Sequence, residues 1–317
     1  MELRYVFFSF VRNVVPTHLL TQMDAKDKFD QTPLHVATER GHTSIVTALI
    51  HNGAYIDAYN KFSETPLLIA ADVDIVSILL ENGASINVQE ERNVLHRAAF
   101  QGYTDVIPGL LENGASIEAL DAAGSTALHL AASEGHVDAV SILLQNGASI
   151  KAVNYEEFTA LHCAAFEGHA NVVLFLLKNG ASINAVTEIK RTALHLAARW
   201  GCVDVAKVLI ENGASVHDVG QYDRTPLVCL TEPEEVDEEH IEVARLLILK
   251  GAKMNDFESP LYVVREYPLL MSHRSNYLSI TGTMRVATVI KLWHLNSFVS
   301  VLRSTSLTSR LTKRYTK

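Results

Sequence analysis

Cysteine is scarce in this sequence, with three among 317 residues, and glycine and proline number only 16 and 8. Three cysteines are too few, and of the wrong parity, for the disulfide framework of a small secreted protein. The low glycine and proline counts exclude a fibrous or low-complexity chain. With 48% hydrophobic and 20% charged residues, the sequence predicts a folded protein with a sizeable core in a reducing compartment, the cytoplasm or the nucleus.

Long hydrophobic runs are missing as well. The apolar run at residues 5–11 has seven residues, stops at Arg12 and is followed by no small-residue cleavage pattern. It lies at the lower limit for a signal peptide, and we interpret it as a capping helix. The stretch from Val286 to Leu302 contains Lys291 near its middle, and a central lysine costs about 2.5 to 3.5 kcal/mol on membrane insertion. We therefore predict a packed or interfacial helix there and no membrane span.

Basic residues are sparse in the central part of the chain. Residues 27–256 carry 32 acidic and 15 basic side chains, whereas residues 257–317 carry two acidic and nine basic ones. Nucleic acids and anionic membranes are bound by clustered lysine and arginine. The central part therefore repels both, only the basic tail could bind either, and we predict no nucleic-acid partner.

Two short motifs, Thr-Pro/Ala-Leu-His and Asn-Gly-Ala, alternate along the chain. The leucine of the first motif stands at Leu34, Leu67, Leu95, Leu128, Leu161, Leu194 and Leu227. The glycine of the second motif stands at Gly53, Gly83, Gly114, Gly147, Gly180 and Gly213. Most intervals are 33 residues, and a fixed period of this length indicates a repeat architecture in which each unit packs on its neighbours.

One unit shows why the period is structural. Thr126 predicts a helix N-cap, and Leu128, Ala131 and Ala132 then share one face of a short helix. A Gly-His turn follows, and a second short helix ends at the glycine of Asn-Gly-Ala. Because such helices are marginal alone, stacking must supply the core, with alanine pairs between first helices and leucine pairs such as Leu143-Leu144 between second helices.

These residues resemble the ankyrin repeat family, most closely at 126–132 and 192–198, which both read Thr-Ala-Leu-His-Leu-Ala-Ala. The resemblance implies an all-α repeat solenoid of stacked helix-turn-helix repeats with β-hairpin connections and a concave binding surface. We divide the chain accordingly into an N-terminal cap or partial repeat at 1–26, about seven ankyrin-like repeats at 27–256, and a degenerate capping segment with a basic tail of unassigned fold at 257–317.

Two repeats depart from the period. Repeat two runs from Ala71 straight into Asp72, which removes the three residues of the Gly-His turn, and we expect a distortion there. Repeat seven carries five extra residues between its helices, around the acidic segment 232–239. That segment is either a docking site for a basic partner or a solvated loop whose acids complement the following helix N-terminus. We favour the second interpretation because charge runs are usually solvated.

The 14 histidines and three cysteines raise the question of a metal site or a nucleophile. Eight histidines recur at two repeat positions, namely His35, His96, His129, His162 and His195, and His42, His136 and His169. We interpret them as scaffold hydrogen-bonders, because stacked repeats hold equivalent positions about 8–10 Å apart. Cys163 and Cys229 are predicted core residues, and Cys202 replaces a turn histidine. Catalytic motifs and phosphate loops are absent from the sequence, so we predict a non-enzymatic protein with no cofactor and no metal.

Positions that vary on a constant framework are where such a scaffold differentiates its binding surface. Two sets vary here: the residues between the alanine pair and the turn glycine, and those at the hairpin tips. By resemblance, both sets face the concave groove. Aromatic and arginine side chains dominate binding hot spots, so we predict these partner-binding residues: Phe100, Tyr155, Phe158, Phe166, Arg191, Arg199 and Trp200. The competing interpretation is that some of these rings only cover neighbouring hairpins.

Three functions fit this pattern. The first, which we favour, is a monomeric protein-protein interaction scaffold that binds a protein partner through its concave groove and hairpin tips. The second is the substrate-recruiting adaptor subunit of a ubiquitin ligase, which needs a C-terminal box that residues 257–317 do not visibly match. The third, the cytoplasmic repeat region of a membrane protein, needs a membrane span that the sequence lacks.

Overall fold

The computed structural model describes residues 23–86, 93–230 and 237–252. Within these ranges the chain forms fourteen α-helices and no β-strand. The chain divides into two compact units, Met1–Tyr155 and Glu156–Lys317. Each unit, in its described part, is a stack of helix pairs, as the repeat period predicts.

In the first unit, each repeat consists of two helices. They are α1 (Pro33–Glu39), α2 (Thr43–His51), α3 (Pro66–Ile69), α4 (Val73–Glu81), α5 (Val94–Gln101), α6 (Val106–Glu112), α7 (Ala127–Ser133) and α8 (Val137–Gln145). Each first helix contacts the first helix of the next repeat, and each second helix contacts the next second helix. The unit therefore has two layers of helices.

The second unit continues the same order of elements. Its helices are α9 (Ala160–Glu167), α10 (Ala170–Lys178), α11 (Ala193–Arg199), α12 (Val203–Glu211), α13 (Pro226–Cys229) and α14 (Glu238–Leu249). Helices α9, α11 and α13 form one layer, and α10, α12 and α14 form the other.

The first helix of each regular repeat begins with a threonine followed three residues later by a histidine. At the start of α11, the backbone N–H of Thr192 donates to Nδ1 of His195 at 3.2 Å, and the threonine hydroxyl lies 2.8 Å from the same nitrogen. The imidazole thus takes the place of the glutamate in a capping box. The same arrangement recurs at Thr32, Thr126 and Thr159, and at Asn93.

The core contains leucines and alanines of the first helices and leucines and valines of the second. In the first unit Ala131, Ala132 and Leu143 are fully buried, as predicted. The second leucine of each pair behaves differently, because Leu144 and Leu177 are only half-buried. Successive residues of a helix point about 100° apart, so only one leucine of each pair can face the neighbouring helix fully.

Turns, rather than strands, connect the helix pairs in the described ranges. Where the turns of two neighbouring repeats are both described, a backbone hydrogen bond joins them. In the first unit the N–H of Tyr155 donates to the carbonyl of Ala123 at 3.2 Å, and in the second that of Glu188 donates to the carbonyl of Glu156 at 3.1 Å. The β-hairpin connections that the resemblance implies are thus tight turns linked by single bonds.

The two irregular repeats both have a short first helix. In repeat two, α3 has four residues and ends at Ile69, because the backbone of the next residue, Ala70, is extended. Asp72 then caps α4 directly. In repeat seven, α13 also has four residues, and α14, with twelve, is the longest of the described helices. The missing Gly-His turn therefore produces the distortion that we expect at repeat two.

Several predicted segments lie outside the described residues. The N-terminal segment 1–26 is described only from Met23, and the C-terminal segment 257–317 is not described at all. Residues 231–236, which form most of the acidic insertion, lie outside as well. Among the helices that the structure describes, none combines the length and the apolar character needed to cross a membrane.

Candidate binding groove

The histidine at the start of each first helix links consecutive repeats. Because the N–H of Thr192 donates to Nδ1 of His195, the ring proton must lie on Nε2. Nε2 then donates to the carbonyl oxygen of Arg224 in the next repeat, at 3.0 Å. His35 and His96 make the corresponding bond to the carbonyls of Glu64 and Ser125 in the next repeat. His162 bonds a different carbonyl, that of Ala185, and His96 also bonds the equivalent of that one, Ala119. For these four residues the predicted role as scaffold hydrogen-bonders is confirmed.

Two of the histidines and two of the cysteines lie in environments that disfavour acid–base or nucleophilic catalysis. Burial lowers the pKa of His35 and of His195, so both rings are neutral and hydrogen-bonded within the scaffold. Burial raises the pKa of Cys163 to about 12, and burial with Glu239 and Glu167 raises that of Cys202 to about 11. Both side chains are therefore thiols at neutral pH and poor nucleophiles.

The three cysteines of the described residues differ in burial. Cys229 is buried, as predicted, whereas Cys163 and Cys202 are half-buried, and all three cysteines are free. In the described ranges, no three histidine, cysteine, aspartate or glutamate side chains come together in a way that could hold a metal ion.

The second unit contains an open groove of about 390 Å³. It lies between the ends of α9 and α11 and two successive turns. Its walls are Glu156, Phe158, Phe166, Thr187, Glu188, Ile189, Arg191, Leu196, Arg199 and Trp200. The groove therefore combines an apolar surface with charged groups of both signs.

Three aromatic rings form a continuous chain along the groove. The centroids of Phe158 and Phe166 are 6.5 Å apart at 71°, and those of Phe166 and Trp200 are 5.1 Å apart at 66°. These edge-to-face arrangements are the ones that the ring quadrupoles favour. The guanidinium of Arg199 lies 5.7 Å from the Trp200 ring centroid, within the range of a cation–π contact. Phe166 is 37% exposed and Trp200 46%, so the rings support one another and still present surface.

The repeat register explains why these side chains converge. Phe166 and Arg199 occupy the same repeat position near the end of a first helix, and Trp200 follows directly. Phe158 precedes the cap of α9, and its ring centroid lies 5.7 Å from that of His162. The groove is therefore built directly on the capped, buried part of two adjacent repeats.

Five of the predicted binding residues line this groove, namely Phe158, Phe166, Arg191, Arg199 and Trp200. The other two, Phe100 and Tyr155, belong to the first unit. Phe100 is half-buried in the last turn of α5, and its carbonyl accepts a hydrogen bond from Nε2 of His136 at 3.1 Å. Tyr155 is 69% exposed and its ring packs beside Gly124.

The rings of Phe166 and Trp200 lie closer together than the spacing of the repeats predicts. A rise of about 8–10 Å per repeat would place Phe166 and Trp200 at separate points of a row extending about 25–30 Å from Phe100. Their ring centroids are instead 5.1 Å apart, because Trp200 stands one position beyond the equivalent of Phe166 and both side chains are long. The two rings form one anchor rather than two.

The predicted binding residues omit several that line the groove, among them Glu156, Ile189 and Leu196, although the first two lie at the variable hairpin tips. Selection by residue type favours aromatic and arginine side chains and passes over isoleucine, leucine and glutamate. The usable signal was the register, because Glu156 and Ile189 occupy the same turn position, 33 residues apart. Turn residues of adjacent repeats lie side by side, so one groove residue implies the other.

The sequence matches a family model of three ankyrin repeats at residues 9–90 and 95–187, and a model of a single ankyrin repeat at residues 190–221. These matches cover more than half of the chain, and the capped helix pairs agree with them. The chain therefore belongs to the ankyrin repeat family, as the resemblance predicts. The first match begins inside the segment predicted as a cap or partial repeat. A comparison with curated proteins finds no match.

Proposed function

We propose that this chain is a non-enzymatic scaffold that binds a protein partner in the groove of its second unit. Ankyrin repeats are generally protein-protein interaction modules, and the chain belongs to that family. The finer assignment, to this groove and these residues, is our proposal.

The observation that carries the proposal is the chain of rings at Phe158, Phe166 and Trp200, in which Phe158 is half-buried and the other two are exposed. The starts of α9 and α11 are buried in the core, whereas the rings of Phe166 and Trp200 leave apolar surface in contact with water. Tryptophan and arginine are the residues most enriched at binding hot spots, and Arg199 lies against Trp200 here. The rings therefore have the composition and exposure of a preformed anchor site.

The groove also indicates the kind of segment that would fit. Ile189 and Leu196 add apolar surface beside the rings, and Glu188 and Arg191 add charges of both signs. A partner segment that inserts one apolar or aromatic side chain, flanked by polar residues, would match this distribution.

The test is affinity capture with the whole chain as bait, with the captured proteins identified by mass spectrometry and then titrated. Trp200→Ala should weaken binding of the captured partner by about 2 kcal/mol or more, which is about 30-fold. Phe62→Ala is the matched control, because Phe62 is 67% exposed on a turn of the first unit. A partner that binds the Trp200 variant as tightly as the parent would contradict the proposal.

Two parts of the prediction extend beyond this groove. Phe100 and Tyr155 stay predicted contact residues of the first unit, to be tested by alanine substitution with the same captured partner. The adaptor role in a ubiquitin ligase depends on residues 257–317, which lie outside the described residues, and it stays a prediction. The expected monomeric state and the location in cytoplasm or nucleus also stay predictions.

A further inference from the structure

The last described helix is capped differently from the regular first helices. Oδ1 of Asp237 accepts from the backbone N–H groups of Glu239 and His240, both at 3.1 Å, and lies 2.7 Å from Nδ1 of His240. Nε2 of the same ring lies 3.1 Å from the carbonyl oxygen of Arg199 at the end of α11. His240, only 7% exposed, therefore joins the second helix of repeat seven to repeat six.

Both ring nitrogens of His240 face hydrogen-bond acceptors. A carbonyl oxygen has no proton to give, so Nε2 must donate to Arg199. An aspartate oxygen that already accepts two backbone N–H bonds is a carboxylate oxygen, so Nδ1 must donate to Asp237. Both nitrogens carry protons only in the imidazolium ion. The 2.7 Å separation agrees with this reading, because charge-assisted hydrogen bonds are short.

His195 shows the opposite state at the same spacing. Its Nδ1 accepts from the N–H of Thr192 and its Nε2 donates to a carbonyl, which is the neutral ring with one proton. A threonine cap therefore pairs with a neutral histidine three residues later, and an aspartate cap pairs with a histidine cation.

The five inserted residues of repeat seven produce this cap. His136 bonds the carbonyl of Phe100, 36 residues earlier, and His240 bonds the equivalent carbonyl of Arg199, 41 residues earlier. His136 is itself the N-cap residue of α8. The insertion instead places Asp237 at the cap and moves the histidine into the first turn of α14, where it acquires a carboxylate partner.

The other charged groups near His240 do not replace Asp237 as its partner. On its own helix, Glu239 follows the cap and is directed toward the Gly201 turn, where a Cβ would lie 3.0 Å from the His240 ring and 3.4 Å from the Glu239 side chain. From α11, the Arg199 side chain lies against Trp200. The turn before α12 contributes the neutral thiol of Cys202, whose pKa burial and Glu239 raise.

In the described part of the chain, the remaining helices packed against α14 are α12 and α13. The described side chains of α12 that are charged include Asp204 and Lys207, which pair with each other at 3.3 Å on the exposed side. Helix α13 contributes the buried thiol of Cys229. The carboxylate of Asp237 is therefore the group that fixes the charge of the ring.

We propose that Asp237 and His240 form a proton-dependent clamp that holds α14 against the end of α11. With two protons the ring bridges the carboxylate and the Arg199 carbonyl, and when one proton leaves, one of these bonds is lost. The hydrogen bond from His240 lowers the pKa of Asp237, so the carboxylate persists in mildly acidic solution, and loss of the ring proton is the event that opens the clamp. Because Arg199 directly precedes Trp200, the clamp also steadies one wall of the groove, a consequence that rests on the proposed function.

The decisive measurement is the protonation of each histidine ring, read by ¹⁵N NMR on the whole chain near neutral pH. His240 should show two protonated nitrogens, and His195 one protonated and one bare nitrogen. Asp237→Thr copies the cap of α11 and should convert His240 to the neutral form. A neutral His240 ring in the parent, or a doubly protonated ring in the Asp237→Thr variant, would overturn the proposal.

Amide hydrogen exchange along α14, corrected for the intrinsic rate, tests whether the clamp holds α14 against the end of α11. Protection in the parent should fall roughly threefold to tenfold when rising pH removes the second ring proton, the effect of one lost hydrogen bond. Asp237→Asn, which keeps a good helix cap without the charge, should show a weaker pH dependence. Protection that is independent of pH in the parent would refute the clamp.

Both measurements use the protein alone, so they separate the clamp from the proposed function. Partner capture that fails, together with a doubly protonated His240, would reject the groove and keep the clamp. Capture that depends on Trp200, together with a neutral His240, would reject the clamp and keep the groove.

Discussion

The two ends of helix α11 differ in burial and in how much their residues vary between repeats. At the start of α11, Thr192 and His195 are buried, and their polar atoms bond each other and the next repeat. At its end, Arg199 and Trp200 lie in an open groove, with Trp200 46% exposed. The start keeps a threonine or asparagine cap and a histidine in each regular repeat, whereas the end changes from one repeat to the next.

This difference separates stability from recognition within a few residues. The starts carry the caps and the buried leucine, so changes there should act on the free energy of unfolding. The ends carry exposed rings, so changes there should act on partner binding and have little effect on folding. Repeat seven adds a third case, in which the cap of the second helix is an aspartate, Asp237, instead of a turn histidine such as His136.

Leu194→Ala should have the largest effect on stability. Leu194 is buried at the start of α11, and removing a buried leucine costs about 2–5 kcal/mol because a cavity remains. Trp200→Ala, at the other end of the same helix, should cost about 1 kcal/mol or less. Denaturant unfolding of the two variants measures both values. A loss from Trp200→Ala as large as that from Leu194→Ala would show that Trp200 is a core residue.

The contact between Phe166 and Trp200 should appear in partner binding as energetic coupling. Each single alanine variant should lose about 2 kcal/mol of binding free energy. The double variant should lose less than the sum, by about 0.5–1.5 kcal/mol, because the rings support each other edge to face. Titration of the parent, the two single variants and the double variant gives the coupling. Strict additivity would mean that the rings act as independent anchors.

His195→Ala should destabilise the second unit by about 1–3 kcal/mol. The change removes the hydrogen bonds of His195 to the N–H of Thr192 and to the carbonyl of Arg224. The carbonyl keeps its bond from the N–H of Gly220, so the cost comes mainly from the buried N–H of Thr192. His217→Ala is the control, because His217 is exposed and a surface change should stay within about 0.5 kcal/mol. Equal unfolding midpoints for the two variants would contradict the scaffold role of the first.

The repeat fold was predictable because its signals are local. The period, the Thr-x-x-His caps and the alanine pairs all lie within a single helix or turn, so each can be read from neighbouring residues. The same holds for the shortened α3, since the missing turn is visible as a gap in the period. Five groove residues followed from residue type and position alone.

Contacts between side chains of different repeats were not predictable in this way. The meeting of Phe166 and Trp200 depends on side-chain rotamers across two helices, and the half-burial of Leu144 depends on its angle on the helix. The clamp needs a further step, because the insertion shifts the cap of α14 and so changes which atom of His240 meets which acceptor. Only the three-dimensional arrangement shows that Asp237 and the Arg199 carbonyl lie on opposite sides of one ring.

Acidification should distinguish the two kinds of cap, with the smallest of the expected effects. Burial lowers the pKa of His195 from its ordinary value of 6.5, so the unfolded chain binds the proton more readily. The stability that the neutral ring contributes is therefore present above pH 6.5 and declines as the pH falls toward the lowered folded value.

Asp237 responds in a lower pH range. Its pKa is lowered from 3.8 by the bond from His240, so its contribution is present above pH 3.8 and is lost only below it. Between pH 7 and about pH 5, hydrogen exchange should therefore show loosening at the start of α11 while α14 keeps its protection. His195→Gln, which cannot titrate, should remove the pH dependence at α11. Earlier loosening of α14 than of α11 over this interval would show that the two caps do not differ as their hydrogen bonds indicate.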